Sequence, residues 1–354
     1  MRYLLIVVLS FAAAVQSPVD LVRAKQYREA RQAMAGMAEP EDAREKIAFH
    51  RLRAAIASGL KEYENAADEM AAALALSPQD SGLLLATAVA ELQAGRLDKA
   101  LGHAETVESA AGAATVGDIQ EKRQQYVDAA RAYQKAVELS PIVEQYRVAL
   151  AVELVRHATF QPAIVVLEQA VPLFPKSAKL RALLGVSYYA VNVSAKANGA
   201  LLSALEIDHR FEPAFQYLKQ ITLAGANPAD IDVMEALCKR DAVVCAALKL
   251  RNEQRDSEAL ATLLRAQGAV ARCEAGKAFE HQQKWAAARK EMEACVKLDG
   301  IPPNLYRLAR VYHHLGLTAL AKGEMSQYQA AVQRESEDEA RRQEAVKAFQ
   351  VIVR

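Results

Sequence analysis

Apolar residues recur along this chain at the three-to-four-residue spacing of one helix face, in segments of about a dozen residues separated by short turns. No stretch alternates apolar and polar as a strand does, so the pattern predicts an all-α chain. The segments themselves repeat. Between Ala113 and His209 a shift of 34 residues brings Gly117, Ala151 and Gly185 into one column. Ala129, Ala163 and Ala197 form a second column, and Ala136, Ala170 and Ala204 a third. Pro141 and Pro175 close the first two units, with His209 where a third proline would stand. A fixed period of this length marks a repeat array.

Each unit reads as two short antiparallel helices. Small residues twelve apart let the pair approach closely, while Leu154, Leu167, Tyr188 and Leu201 fill the space around that contact. Proline cannot continue a helix and so ends the second one. One hairpin cannot bury its apolar face alone; stacked hairpins can.

The small-x11-Ala-x6-Ala-x4-Pro pattern, with Leu184-Gly185 and Tyr188, and with Tyr126, Ala129, Tyr133 and Ala136 before Pro141, resembles the tetratricopeptide repeat (TPR) family. The resemblance implies a right-handed superhelical solenoid of antiparallel helix pairs. It also implies protein binding without catalytic residues or cofactors. Some members hold a chaperone tail with inward-facing Lys, Asn and Arg. Here the inward positions beside the small column are Val89, Asp118, Val152 and Val186, which departs from that arrangement.

Residues 1–16 read as a secretory signal peptide: Arg2, an apolar run from Leu4 to Val15, and small residues at Ala12 to Ala14. The alternative is a membrane anchor, although the run falls short of the roughly 18 apolar residues a span needs. Residues 17–354 read as a single solenoid. A short first hairpin spans Asp20 to Met37, and clear units run from about 47 to 209. The connection near 109–114 is expected to be irregular, because the next unit begins 29 residues on rather than 34. A degenerate unit occupies 211–240, with a Gly225-Ala226-Asn227-Pro228 turn; further units fill 241–333, and a charged capping helix covers about 334–352.

Charge is balanced, with 44 basic and 43 acidic residues and no basic block, which gives nucleic-acid binding no electrostatic support. Phosphate-loop, dinucleotide, nucleophile-elbow and zincin motifs are all absent from the sequence. His313 and His314 point about 100° apart on a helix, a poor metal pair, and are expected on a solvated face. Trp285 belongs to the aromatic column and is expected to be core filler, despite His281 and Glu280 nearby.

All four cysteines lie between Cys238 and Cys295, and four cysteines allow three pairings. In an antiparallel hairpin registered by Gly276 against Ala288, Cys273 and Cys295 come level within about one turn. Cys238 and Cys245 flank a short connection. Pairs Cys273–Cys295 and Cys238–Cys245 are therefore expected, with four buried free thiols as the alternative.

The resemblance places the partner-binding groove on the first helices. Its inward residues are Leu85, Val89 and Leu92; Val148, Val152 and Val155; and Val186 and Tyr189, interrupted by Asp118 and Glu121. The expected function is a non-catalytic, periplasmic or secreted interaction scaffold for a protein or peptide segment. The alternative is an accessory subunit or domain of an exported enzyme or envelope assembly system.

Overall fold

The computed structural model describes residues 16–224, 231–253 and 257–349, so the expected signal peptide and the Gly225–Pro228 turn fall outside the described residues. Among the described residues every regular element is helical. The chain forms two compact units, Met1–Pro141 and Ile142–Arg354.

The first unit holds α1 (Pro18–Arg23), α2 (Tyr27–Met34), α3 (Ala43–Gly59), α4 (Tyr63–Leu76), α5 (Ser81–Ala94), α6 (Leu97–Glu105), α7 (Ala110–Lys122) and α8 (Tyr126–Leu139). The second holds α9 (Glu144–Arg156), α10 (Phe160–Leu173), α11 (Ala178–Ala190), α12 (Ser194–Ile207), α13 (Glu212–Ala224) and α14 (Ile231–Cys238). It continues with α15 (Ala242–Glu253), α16 (Ser257–Arg265), α17 (Ala269–His281), α18 (Trp285–Leu298), α19 (Pro302–His314) and α20 (Thr318–Phe349). Consecutive helices pair as hairpins, and consecutive hairpins stack.

The columns are the hairpin contacts. Ala129, Ala136, Ala151, Ala163, Ala170, Ala197 and Ala204 have no exposed surface at all. At three hairpins the small residue meets a large one sixteen positions on. A Cβ on Gly117 would sit 2.5 Å from the Tyr133 ring, on Gly185 2.7 Å from Leu201, and on Gly276 2.5 Å from Met292. Glycine is needed there because the partner helix occupies the space. Leu154, Leu167 and Leu201 are completely buried. Each such side chain is worth about 1.5–3 kcal/mol, against about 0–1 kcal/mol for a surface ion pair. Packing therefore dominates the stacking.

The turns inside the hairpins repeat as well. Lys25, Lys61, Gln124, Ala158, Asn192 and Gln283 all adopt left-handed backbone, with φ between 55° and 64°. Gly95 and Gly316 take the equivalent place in their hairpins. In each case the next residue returns a hydrogen bond to the helix, as Thr159 N–H does to the Leu154 carbonyl at 2.8 Å. First helices start on side-chain caps: Asp80 accepts from Leu83 N–H at 2.9 Å and Ser177 from Leu180 N–H at 3.2 Å.

Ion pairs lace neighbouring hairpins. Arg31 reaches Glu62 at 2.9 Å, Arg96 reaches Asp68 at 2.7 Å and also Glu64, and Arg123 reaches Asp98 at 3.1 Å.

The region expected to be irregular, 109–114, is helical. Ser109 caps α7 by accepting from Gly112 N–H at 3.0 Å, so the helix starts at Ala110. The missing residues come instead out of α6, which has 9 residues where α4 and α8 have 14. At the other end α20 runs unbroken for 32 residues. At 1.5 Å per residue it is about 48 Å long, against about 20 Å for its 13-residue partner α19. Residues 332–337, past that partner, are exposed.

Candidate partner-binding face and cysteine pairs

In the first unit the inward positions of α5 are Leu85, Val89 and Leu92. Val89 is 38% exposed; Leu85 and Leu92 are half-buried, the latter against a core of Ala88, Ala100, Ala104 and Ile119. The next first helix, α7, presents Asp118 and Glu121. Asp118 is open to water at its edge and accepts a hydrogen bond from the Tyr133 hydroxyl at 2.7 Å. Neighbouring atoms still crowd it. Burial pushes its carboxyl above the ordinary value, and the Tyr133 hydrogen bond acts in the opposite direction. Glu121 is half-buried.

In the second unit the corresponding side chains are more enclosed. Val148 and Val186 are each 9% exposed, while Val152, Val155 and Tyr189 are half-buried. The cause is direct contact between successive first helices, α9 and α11, which consumes part of each inward face. Val89 is thus the most open of the eight apolar positions.

The first helices also bury carboxylates, each facing a base. Glu91 is 2% exposed and lies 2.8 Å from His103 Nδ1. Glu153 is 1% exposed, 3.4 Å from His157 and 3.7 Å from Arg156. Glu280 meets Arg307 at 2.9 Å and Arg310 at 3.3 Å, which ties α17 to α19. Inspection of the repeat columns misses these groups because they occupy no common column. A sequence hint exists only at Glu153, where the bases follow three and four residues on.

The cysteines are brought together in two pairs. The sulfurs of Cys273 and Cys295 lie 2.06 Å apart, joining α17 to α18, and those of Cys238 and Cys245 lie 2.12 Å apart across the α14–α15 turn. The first pair is buried beside Met292 and Leu308. The second is half-buried.

The histidine pair is not simply solvated. His314 stacks on Trp285, while His313 meets His314 edge-on at 6.0 Å. A shallow cleft of ≈ 530 Å³ lies beside them, lined by Ala286, Arg289, Lys290, Glu293, Leu315 and Leu317. Its Arg289 is tied to Glu293 at 2.7 Å, and Glu293 also accepts from the Tyr312 hydroxyl at 3.0 Å. Among the described residues no group of three metal-ligating side chains forms, and no helix is long and apolar enough to cross a membrane.

No family model and no curated protein matches the chain. Solved structures do resemble it. YrrB, described as a TPR protein with an unusual peptide-binding site, aligns over 58% of this chain and 100% of its own at 19% identity, with a TM-score of 0.41. The C-terminal part of a TPR repeat-containing protein from Cytophaga hutchinsonii aligns over 70% of this chain and 94% of its own at 16% identity, with a TM-score of 0.49. MamA AMB-1 aligns over 47% of this chain and 93% of its own at 20% identity, with a TM-score of 0.38. The assignment rests on the chain's own columns, left-handed turns and paired helices, which make it an all-α array of TPR-like hairpins.

Proposed function

We propose that this chain is an exported, non-catalytic scaffold that binds a segment of a protein partner on the first-helix faces of its hairpins. The observation that carries this reading is Val89: an apolar side chain, 38% exposed, set between half-buried Leu85 and Leu92 beside acidic Asp118. An apolar anchor with a basic neighbour on the partner complements that face. The apolar positions of the second unit offer a shallower version of it, with Val152, Val155 and Tyr189 as the accessible part. Export is supported by the N-terminal Arg2-then-apolar run and by two cysteine pairs at bonding distance, since such pairs persist outside reducing compartments.

Site-specific photocrosslinking in the native host tests the binding face. A crosslinker at Val89 should trap one partner peptide, a crosslinker at exposed Leu76 should not, and Asp118→Lys should weaken the Val89 crosslink. Equal trapping at both positions, or no effect of Asp118→Lys, removes the proposed face. N-terminal sequencing tests export: a mature start between Val15 and Val19 supports it, and an intact Met1 refutes it.

A further inference from the structure

The turn between α14 and α15 is held from two sides. Cys238 ends α14 and Cys245 lies in the first turn of α15, a separation of 7 residues. Inside that loop Arg240 reaches back to α13. Its guanidinium lies 4.0 Å from the centroid of the Phe215 ring, and its Nη2 donates to Glu212 at 2.7 Å. Asp241 lies 3.7 Å from Lys219, also on α13, and caps α15 by accepting from Val243 and Val244 N–H at 3.0 Å each. The α13 contacts of the turn therefore come from two adjacent residues that the cysteine pair encloses.

The helix behind the turn has little hold of its own. With 8 residues and only Val233 and Leu237 buried, α14 is too short to be stable without tertiary support. Access also separates the two cysteine pairs. Cys273 and Cys295 are 5% and 0% exposed within a packed core, whereas Cys238 and Cys245 are half-buried. Thiol–disulfide exchange requires a thiolate to reach a sulfur, so the more open pair is the one that exchanges.

We infer that Cys238–Cys245 is a redox latch for the α13–α14 region. This rests on the reading that the four cysteines are oxidised in the exported protein. Oxidised, the pair holds Arg240 and Asp241 on α13. An external dithiol breaks the S–S bond by exchange. It supplies two electrons and two protons, leaves as its own disulfide, and gives two thiols on this chain. The turn then releases Glu212, Phe215 and Lys219, while Cys273–Cys295 stays closed and keeps α17 on α18.

The test uses the full chain. Native protein is titrated with dithiothreitol, quenched by alkylation, and each state is followed by peptide mapping and amide hydrogen exchange. Cys238 and Cys245 should become alkylatable at a reductant concentration roughly tenfold or more below that needed for Cys273 and Cys295. Exchange should then quicken by about tenfold in residues 212–219 and 231–245, and stay unchanged in α17 and α18. The double variant Cys238→Ser with Cys245→Ser should show the same exchange pattern without reductant. Simultaneous reduction of both pairs, or unchanged exchange after selective reduction or in the double variant, overturns the latch. Four alkylatable thiols before any reductant overturn the oxidised reading itself.

Discussion

His314 lies flat against Trp285, with ring centroids 3.9 Å apart and planes 7° from parallel. The contact joins the first turn of α18 to the end of α19, so it clasps successive hairpins over the core that holds Met292 and Tyr312. The two rings do unequal work. The indole is partly buried against that core, whereas His314 is exposed and contributes mainly the stack. Trp285→Ala is expected to cost about 2–4 kcal/mol, and His314→Ala about 0.5–1.5 kcal/mol. Urea denaturation followed by circular dichroism checks both. Trp285 is the only tryptophan, so its emission should shift in the histidine variant. Equal losses would mean that the stack, and not the core contact, carries the site.

The left-handed turns supply a second prediction. Ala158 sits at φ 57° with a Cβ that this conformation crowds. Ala158→Gly relieves a cost of about 1–2 kcal/mol and gives back about 0.5–1 kcal/mol through the unfolded chain. A net gain of about 0.5–1 kcal/mol is expected. Gly95→Ala, at φ 80°, should lose a similar amount. The midpoints should move in opposite directions at constant denaturant slope. A shift of both in one direction would contradict the turn geometry.

Close approach gives the third. A Cβ on Gly112 falls onto the carbonyl oxygen of Val107, which is backbone, while one on Gly276 meets the flexible side chain of Met292. Gly112→Ala should cost about 2 kcal/mol. Gly276→Ala should come out near neutral, because Met292 can yield and alanine favours the helix. Thermal melts of the two variants decide it, and the reverse order would show that the Val107 turn adjusts freely.

These glycines show what a sequence makes legible in such a fold. The columns at Gly117, Ala151 and Gly185 are visible because each hairpin contact recurs every 34 residues. Gly112 occupies a column as well, yet its role is set by a local cap, Ser109, and by the shortened α6. That exchange moved the expected irregularity from 109–114 to the end of α6. The binding face was legible in position but not in openness. Helical spacing places Val148 and Val186 inward, and only the approach of α9 to α11 decides that they are covered while Val89 is not. Buried Glu91 and Glu280 were invisible for the same reason. Glu280 meets Arg307 and Arg310 on a different helix, with no shared spacing to announce it.

Two tyrosines supply the last prediction, and its sign follows from which protonation state the fold prefers. Tyr188 and Tyr312 are both pushed from 10.0 up to about 12, first by burial and then by hydrogen bonds to Glu168 and Glu293 and the charge of those carboxylates. The folded state therefore favours the neutral phenol. Below pH 10 both states hold the proton and stability is untouched. Between 10 and about 12 the unfolded chain releases its protons first, so stability falls as pH rises through that window. Solvent screening limits each contribution to about 1 kcal/mol. Lys196, 5.0 Å over the Tyr188 ring, loses its charge in the same range, but it does so with or without the phenol. Urea denaturation at about pH 9.5 and about pH 11 should show the loss in the parent protein. Tyr188→Phe and Tyr312→Phe should each flatten part of it, and the double variant most. An alkaline loss undiminished in the double variant would assign it to the lysines instead.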